Sequence, residues 1–140
     1  MLSLYVQLPS ANSPTPPEVL QNPKYYPYFT NIIGAIDSIH IICHPSGKDH
    51  NAAHDHKGNL TQNCLIAYYF NMSFLYILSG WKGSAADAHI YHNASITDFN
   101  IPQGKYYLAD VGFATCDELL VLAYYGVCYH LAEWSCGNQA

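Results

Sequence analysis

The sequence predicts an α/β fold in which helices cover a mixed β-sheet. The first of three supporting observations is the stretch 32–43, which is mostly apolar and β-branched, as in a central strand buried on both faces. The second is a pair of apolar runs separated by a short polar turn, which indicates an antiparallel hairpin. The third is a helical segment that precedes another apolar run. Together they predict three meandering strands followed by alternating helix and strand.

The chain begins with a segment rich in proline and aromatic residues, 1–31, which leads into the domain proper. Proline blocks helix formation and restricts the residue before it, so most of this segment is expected to be extended. Only 18–22 is predicted to form one helical turn. The first strand is predicted at about 33–43, and the polar residues 44–63 are predicted to form a loop.

The next elements are two strands and a helix. Residues 64–70 and 74–80 are predicted to be the second and third strands. A helix is predicted to begin within 83–92, with Ser84 as its N-cap and Asp87 at its third position. This arrangement is an acidic variant of the capping box.

The last predicted elements are a fourth strand and a short helix. Residues 105–110 have the pattern of a strand that ends in Asp110. Asp117 is predicted to cap a helix through 118–120, and the tail from 121 to 140 stays ambiguous between strand and irregular chain. This order of elements is that of the ribonuclease-H-like fold.

The ribonuclease-H-like fold places one carboxylate in the middle of its first strand and another just past its fourth. Asp37 and Asp110 occupy these two positions. A carboxylate on a buried strand is costly unless its charge is compensated. Arginine, the best partner for a buried carboxylate, is absent from the chain. A divalent cation is therefore the favoured explanation for Asp37, while capping by backbone N–H groups at a strand end stays open as the alternative.

These carboxylates define the candidate active site. Asp37 and Asp110 are the predicted catalytic residues and, together with Asp87, the predicted metal ligands. For Asp87, an orienting role or capping of the helix is as good an interpretation as metal ligation. Mg²⁺ and Mn²⁺ are the predicted cofactors because both ions prefer carboxylate oxygens. A site of this kind activates a water or a 3′-hydroxyl for attack on a phosphodiester.

A polar loop offers a second metal hypothesis, since imidazoles bind Zn²⁺. It contains four histidines, His44, His50, His54 and His56. Their spacing matches no standard zinc motif, so a solvated loop is the favoured interpretation. His40 lies three residues from Asp37 and is expected to face the opposite side of the sheet as a structural histidine.

The composition limits the possible partners. The chain has 140 residues, enough for one domain, and a formal net charge of −5. This balance argues against autonomous tight binding to a polyanion, because phosphate contacts need lysine and arginine. Five cysteines without a Cys-x-x-Cys pair are expected to be reduced thiols in a nuclear or cytosolic protein. The N-terminus lacks the features of a signal peptide, and no apolar run has the length of a membrane span, so no membrane partner is expected.

Four groups of residues carry a family resemblance. They are 26–29 running into 34–41 (Tyr-Pro-Tyr-Phe and Gly-Ala-Ile-Asp-Ser-Ile-His-Ile), 57–64 (Lys-Gly-Asn-Leu-Thr-Gln-Asn-Cys), 80–90 (Gly-Trp-Lys-Gly-Ser-Ala-Ala-Asp-Ala-His-Ile) and 106–113 (Tyr-Tyr-Leu-Ala-Asp-Val-Gly-Phe). Together these motifs resemble the Harbinger-type transposase nucleases, which are DDE superfamily endonucleases. The resemblance covers most of the chain.

The resemblance implies a metal-dependent DNA endonuclease or transposase with a ribonuclease-H-like domain over 32–140. It implies that the metal carboxylates fall on Asp37, Asp87 and Asp110, with Mg²⁺ or Mn²⁺ as cofactor. It also implies DNA as substrate, the nucleus as location and a separate DNA-binding partner protein. Members usually carry a final Glu on a later helix, and Glu133 comes too early to be that residue. A C-terminally truncated copy is therefore expected, and a catalytically inactive interaction domain that keeps the fold is the alternative.

Overall fold

A computed structural model of the protein describes residues 7–43 and 60–121. Within these residues, five strands form one mixed sheet with the order β3-β2-β1-β4-β5. The elements in chain order are α1 (Pro17–Leu20), β1 (Ile32–Ile42), β2 (Thr61–Tyr68), β3 (Phe74–Lys82), α2 (Asp87–Thr97), β4 (Tyr106–Ala109) and β5 (Leu119–Val121). The predicted α/β class and the mixed, ribonuclease-H-like arrangement of the sheet are confirmed.

The sheet changes from antiparallel to parallel pairing at β1. Strands β1, β2 and β3 form an antiparallel meander, as the polar turn between the second and third apolar runs predicts. Strand β4 returns after α2 to lie parallel to β1, and β5 lies parallel to β4. Strand β1 is therefore the central strand, with an antiparallel neighbour on one side and a parallel neighbour on the other.

The core lies between the sheet and α2. Helix α2 contributes Ile90, Tyr91 and Ala94, each at most 8% exposed, and they belong to one buried cluster with side chains from the sheet. Phe99 and Tyr107 are 1% exposed, and their rings lie 5.5 Å apart. Burying each large apolar side chain contributes about 1.5–3 kcal/mol, so this cluster fixes α2 on one face of the sheet.

Two predicted helix features are wrong. Residues 118–120 belong mostly to strand β5 instead of a helix, because Leu119 is buried and pairs with Tyr107 of the parallel neighbour β4. Ser84 does not cap α2. The helix begins at Asp87 after Ala86, which makes no side-chain capping bond, because residues 83–84 form a turn before the helix.

Two predicted features of the sheet also need correction. Strand β2 begins at Thr61 instead of residue 64, because the long strand β1 continues to pair with it as far as Ile42. Strand β1 is not buried along its whole length. Ile32, Ile33 and Ile36 are buried, but the strand is exposed from Asp37 onward apart from half-buried Ser38, because the buried cluster ends at Ile36.

The lead-in segment contacts the sheet at several points. The predicted turn at 18–22 is present as the short helix α1, and Val19 within it is buried. The Lys105 ammonium donates a hydrogen bond to the Ser13 carbonyl at 3.1 Å, which ties the segment to the start of β4. The division into a lead-in of residues 1–31 and a domain of residues 32–140 stays a prediction.

Tyr76 on β3 makes a short hydrogen bond to the end of α2. Its hydroxyl donates to Asp98 Oδ1 at 2.6 Å, and its ring is 8% exposed. We expect Tyr76→Phe to lower the free energy of unfolding by about 1–2 kcal/mol, since hydrogen bonds to charged groups are stronger than neutral ones. Urea unfolding measures the loss. Tyr28→Phe is the control because Tyr28 is 77% exposed; equal losses in both variants would contradict this role.

Candidate active site

Asp37 and Asp110 lie near each other on neighbouring parallel strands, with Asp37 in the middle of β1 and Asp110 directly after the end of β4. The register pairs Ala35 of β1 with Leu108 of β4, and each aspartate follows its member of that pair by two residues. Residues two apart on a strand share a face, and neighbouring strands lie about 4.8 Å apart. Asp110 directly follows the end of β4 at Ala109, so the register brings its carboxylate close to Asp37, whose pKa its charge raises after the larger effect of burial.

Backbone amides orient both side chains. Ser38 N–H donates to Asp37 Oδ1 at 2.8 Å, and Val111 N–H donates to Asp110 Oδ1 at 2.6 Å. An ionised carboxylate offers about four lone-pair sites, so each side chain keeps acceptor capacity for a cation. The alternative explanation for Asp37 is present in part, since one amide caps it, but Asp37 lies inside β1 and not at a strand end.

The electrostatics of Asp37 are unfavourable for its charged form. Asp37 is exposed by its residue surface area, but surrounding protein partly removes water from its carboxylate, and this desolvation raises the pKa of Asp37 most. The negative charges of Asp110 and then Asp87 raise that pKa further. Only the Ser38 amide lowers it. Burial, and after it the charge of Asp37, also raises the pKa of Tyr68. Within residues 7–43 and 60–121, no positive group lowers the pKa of Asp37, so a cation would relieve repulsion between these carboxylates.

Asp87 reaches the same end of the sheet from the opposite layer. It is the first residue of α2, close enough for its charge to act on Asp37. Its Oδ1 accepts a hydrogen bond from Asn63 Nδ2 at 3.2 Å. A Cβ at Gly112, in the turn after Asp110, would lie 2.7 Å from its Oδ2. Both oxygens of Asp87 therefore face protein atoms.

The three predicted ligands are neighbours, but they do not form a ready-made three-ligand cluster. In the described part of the chain, no group of three His, Cys, Asp or Glu side chains is placed to hold one metal ion. The pair Asp37 and Asp110 could hold a hard cation with waters completing its shell, as Mg²⁺ prefers. The separate contacts of Asp87 set it apart from this pair.

Asn63 is a site residue that the sequence analysis missed. It was assigned to the loop 44–63, but it lies on β2 opposite His40 and is completely buried. The available signal was the length of β1, since a neighbouring strand of matching length would have to begin before residue 64. A polar side chain on the core face is the kind of exception that indicates a specific role.

The histidine predictions have different outcomes. The zinc hypothesis is not tested, because its four histidines lie outside the described residues: His44, His50, His54 and His56. Glu133, which we expect to come too early to be the family's final Glu, also lies outside them. His40 is on β1, and its Nδ1 lies 3.3 Å from Thr61 Oγ1. Strand alternation places it on the face opposite Asp37, as expected for a structural histidine.

Comparison with known families decides the identity of this domain. A family model described as DDE superfamily endonuclease matches residues 36–138. The chain belongs to this family. The matched region begins one residue before Asp37 and includes Asp87 and Asp110. No curated protein and no solved structure matches the chain.

Membership in the DDE superfamily endonucleases supports a function of the nuclease or transposase type. It agrees with the mixed sheet and with the placement of Asp37 and Asp110 on adjacent parallel strands. The donor set also fits a hard divalent cation, because it consists of carboxylate oxygens, and burial followed by the neighbouring carboxylates raises the pKa of Asp37. Among the residues described, no helix is long and apolar enough to cross a membrane.

Proposed function

We propose that this DDE superfamily endonuclease is a divalent-metal-dependent DNA endonuclease or transposase domain that hydrolyses or transfers phosphodiester bonds. Asp37 and Asp110 are the proposed catalytic residues, and they would hold Mg²⁺ or Mn²⁺. The single observation that supports the proposal is the register of β1 and β4, which brings the backbone positions of these two aspartates close together. The third predicted ligand, Asp87, is close enough for its charge to influence Asp37.

Each residue has a defined part in the proposed chemistry. When bound, the metal would supply an activated water or hydroxyl nucleophile and neutralise charge on the leaving oxygen. Asp37 and Asp110 supply the negative charge that binds the cation. The amides of Ser38 and Val111 hold one oxygen of each carboxylate, so the site is oriented before DNA arrives.

Several finer assignments are proposals that rest on the resemblance described above. They are the Harbinger subtype, a nuclear location and a separate DNA-binding partner protein. The net charge of −5 favours such a partner, because a basic protein could supply the phosphate contacts that this chain lacks. The alternative function is a catalytically inactive interaction domain that keeps the fold.

Metal-dependent cleavage by the full 140-residue chain tests the proposal. We expect nicking of supercoiled plasmid with Mg²⁺ or Mn²⁺ and none with excess chelator. The reason is that the negative carboxylates of Asp37 and Asp110 can act on a negative phosphate only through a bound cation. Asp110→Asn is expected to reduce the rate by about 100-fold or more, comparable to losing a main electrostatic contact of the transition state. Gel electrophoresis measures the rates.

The matched control is Asp117→Asn, which removes an exposed carboxylate elsewhere on the chain. It should cleave like the parent protein. Thermal melting with and without Mn²⁺ adds a measurement that does not depend on turnover. An ion that binds only the folded state raises the melting temperature. Metal binding without cleavage would favour the inactive alternative. Absence of both effects would refute the metal site.

A further inference from the structure

Asn63 is a fully buried amide that makes two hydrogen bonds at the base of the candidate site. Its Nδ2 donates to the Ala85 carbonyl and to Asp87 Oδ1, each at 3.2 Å. Its side chain is 0% exposed. Strand β2 and the start of α2 are therefore joined by a buried polar contact.

The orientation of this amide is set by its neighbours. Both groups that face Nδ2 are acceptors, so turning the amide over would place its oxygen against the negative Asp87. In the observed orientation, Asn63 Oδ1 is buried without a hydrogen-bond partner among the described residues. A buried unpaired carbonyl is unfavourable, and an apolar residue of similar size would avoid it. Core stability alone therefore does not explain why an amide occupies this position. Its hydrogen bond to Asp87 does.

The other oxygen of Asp87 lies against the turn that follows Asp110. A Cβ on Gly112 would come within 2.7 Å of Asp87 Oδ2, so this turn approaches the carboxylate as closely as a glycine allows. The turn is closed by a hydrogen bond from Phe113 N–H to the Asp110 carbonyl at 3.0 Å. Asp87 is thus enclosed between Asn63 on one side and the Asp110 turn on the other.

We infer that Asn63 and Asp87 are positioning residues, which together hold the Asp110 turn so that Asp110 faces Asp37. Asp87 acts through its contacts with Asn63 and Gly112 and does not ligate the metal directly. This inference rests on the proposed function, since it assigns the metal to Asp37 and Asp110. It decides between the two interpretations of Asp87 that the sequence left open.

Mn²⁺ affinity of the full chain, measured by the electron paramagnetic resonance signal of free Mn²⁺, separates ligands from positioning residues. Asp87→Asn keeps an oxygen that can accept from Asn63, so we expect affinity within about threefold of the parent, the effect of one screened charge. Asn63→Leu leaves Asp87 without its donor and is expected to weaken binding about tenfold, as for residues that orient ligands. Asp37→Asn and Asp110→Asn should weaken it about 100-fold or more.

The outcomes distinguish this inference from the proposed function. If Asp87→Asn weakens binding as much as Asp37→Asn, Asp87 is a ligand and the inference is wrong. If Asn63→Leu binds Mn²⁺ like the parent, Asn63 has only a core role and the inference is also wrong. If Asp37→Asn and Asp110→Asn leave Mn²⁺ affinity unchanged, the proposed metal site itself fails.

A metal-free measurement covers the case in which Asn63→Leu does not fold. Gly112→Ala should displace the Asp87 carboxylate, because the three atoms nearest to the new Cβ all belong to that side chain. We expect it to shift the side-chain amide resonances of Asn63, which donates to Asp87 and is not a covalent neighbour of position 112. In an Asp87→Ala background the clash is absent and the shifts should largely vanish. Equal shifts in both backgrounds would overturn the contact on which the inference depends.

Discussion

Gly34→Ala is expected to destabilise the fold strongly, and much more than Gly104→Ala. A Cβ at Gly34 would overlap the backbone oxygen of Tyr68 and lie 3.2 Å from the Cα of Tyr69. Neither atom can rotate away, so β1 and β2 would have to separate where they pair. We expect a loss of about 3 kcal/mol or more, the upper range for overpacking. That is a large part of the 5–15 kcal/mol, roughly, that stabilises a typical domain.

Gly104→Ala is the matched control for this prediction. Gly104 has φ of 80°, and nothing lies within 4 Å of its Cβ position, so the substitution carries only the backbone cost of a left-handed conformation. That cost is about 1–2 kcal/mol. Urea unfolding of both variants compares steric with conformational cost. If Gly34→Ala proves no more destabilising than Gly104→Ala, the close approach of β1 to the end of β2 is wrong.

Asp37→Asn is expected to abolish metal-dependent cleavage while making the metal-free protein more stable at neutral pH. Asparagine can still accept the Ser38 hydrogen bond, but it lacks the charge needed to bind a cation. Cleavage should fall by about 10³-fold, the upper range for losing one electrostatic contact to the transition state. The rise in stability follows because the substitution removes a charge that partial burial disfavours and that Asp110 and Asp87 repel.

The pH dependence of this gain has a defined sign. The pKa of Asp37 in the folded protein lies above its ordinary value of 3.8, so between the two values the folded state binds more protons than the unfolded state. Stability of the parent therefore falls as the pH rises through this window, and the penalty is fully present at pH 7. Below pH 3.8 it disappears, and Asp37→Asn should then have no advantage.

Chemical unfolding in excess chelator at pH 7 and at about pH 3 measures the gain and its loss below both pKa values. Asp117→Asn serves as the control, since its carboxylate is exposed and no influence of it on Asp37 is present. A variant that is less stable than the parent at neutral pH would show that the Asp37 charge is already compensated. Full cleavage activity in Asp37→Asn would remove this residue from the site.

Much of this fold follows from patterns that are local in the sequence. The apolar stretch of β1, the hairpin of β2 and β3, and the apolar run before Asp110 each carry a period or a turn that specifies its conformation. Asp37 and Asp110 could be identified because each stands at a position that this strand order defines. The fifth strand could not be identified this way, because three residues, Leu119–Val121, have no period of their own. Pairing with β4 decides their conformation.

The sequence by itself therefore determined the class of the fold and the two aspartates that lie near each other, one inside β1 and one just after β4. Only the tertiary structure decided what surrounds them. The burial of Asn63 and the two contacts of Asp87 join residues more than 20 positions apart, and no local pattern specifies such contacts. They arise because α2 packs on the sheet with its first residue directed at the turn after β4. Packing between distant segments is thus the basis for the positioning role that we propose for Asp87.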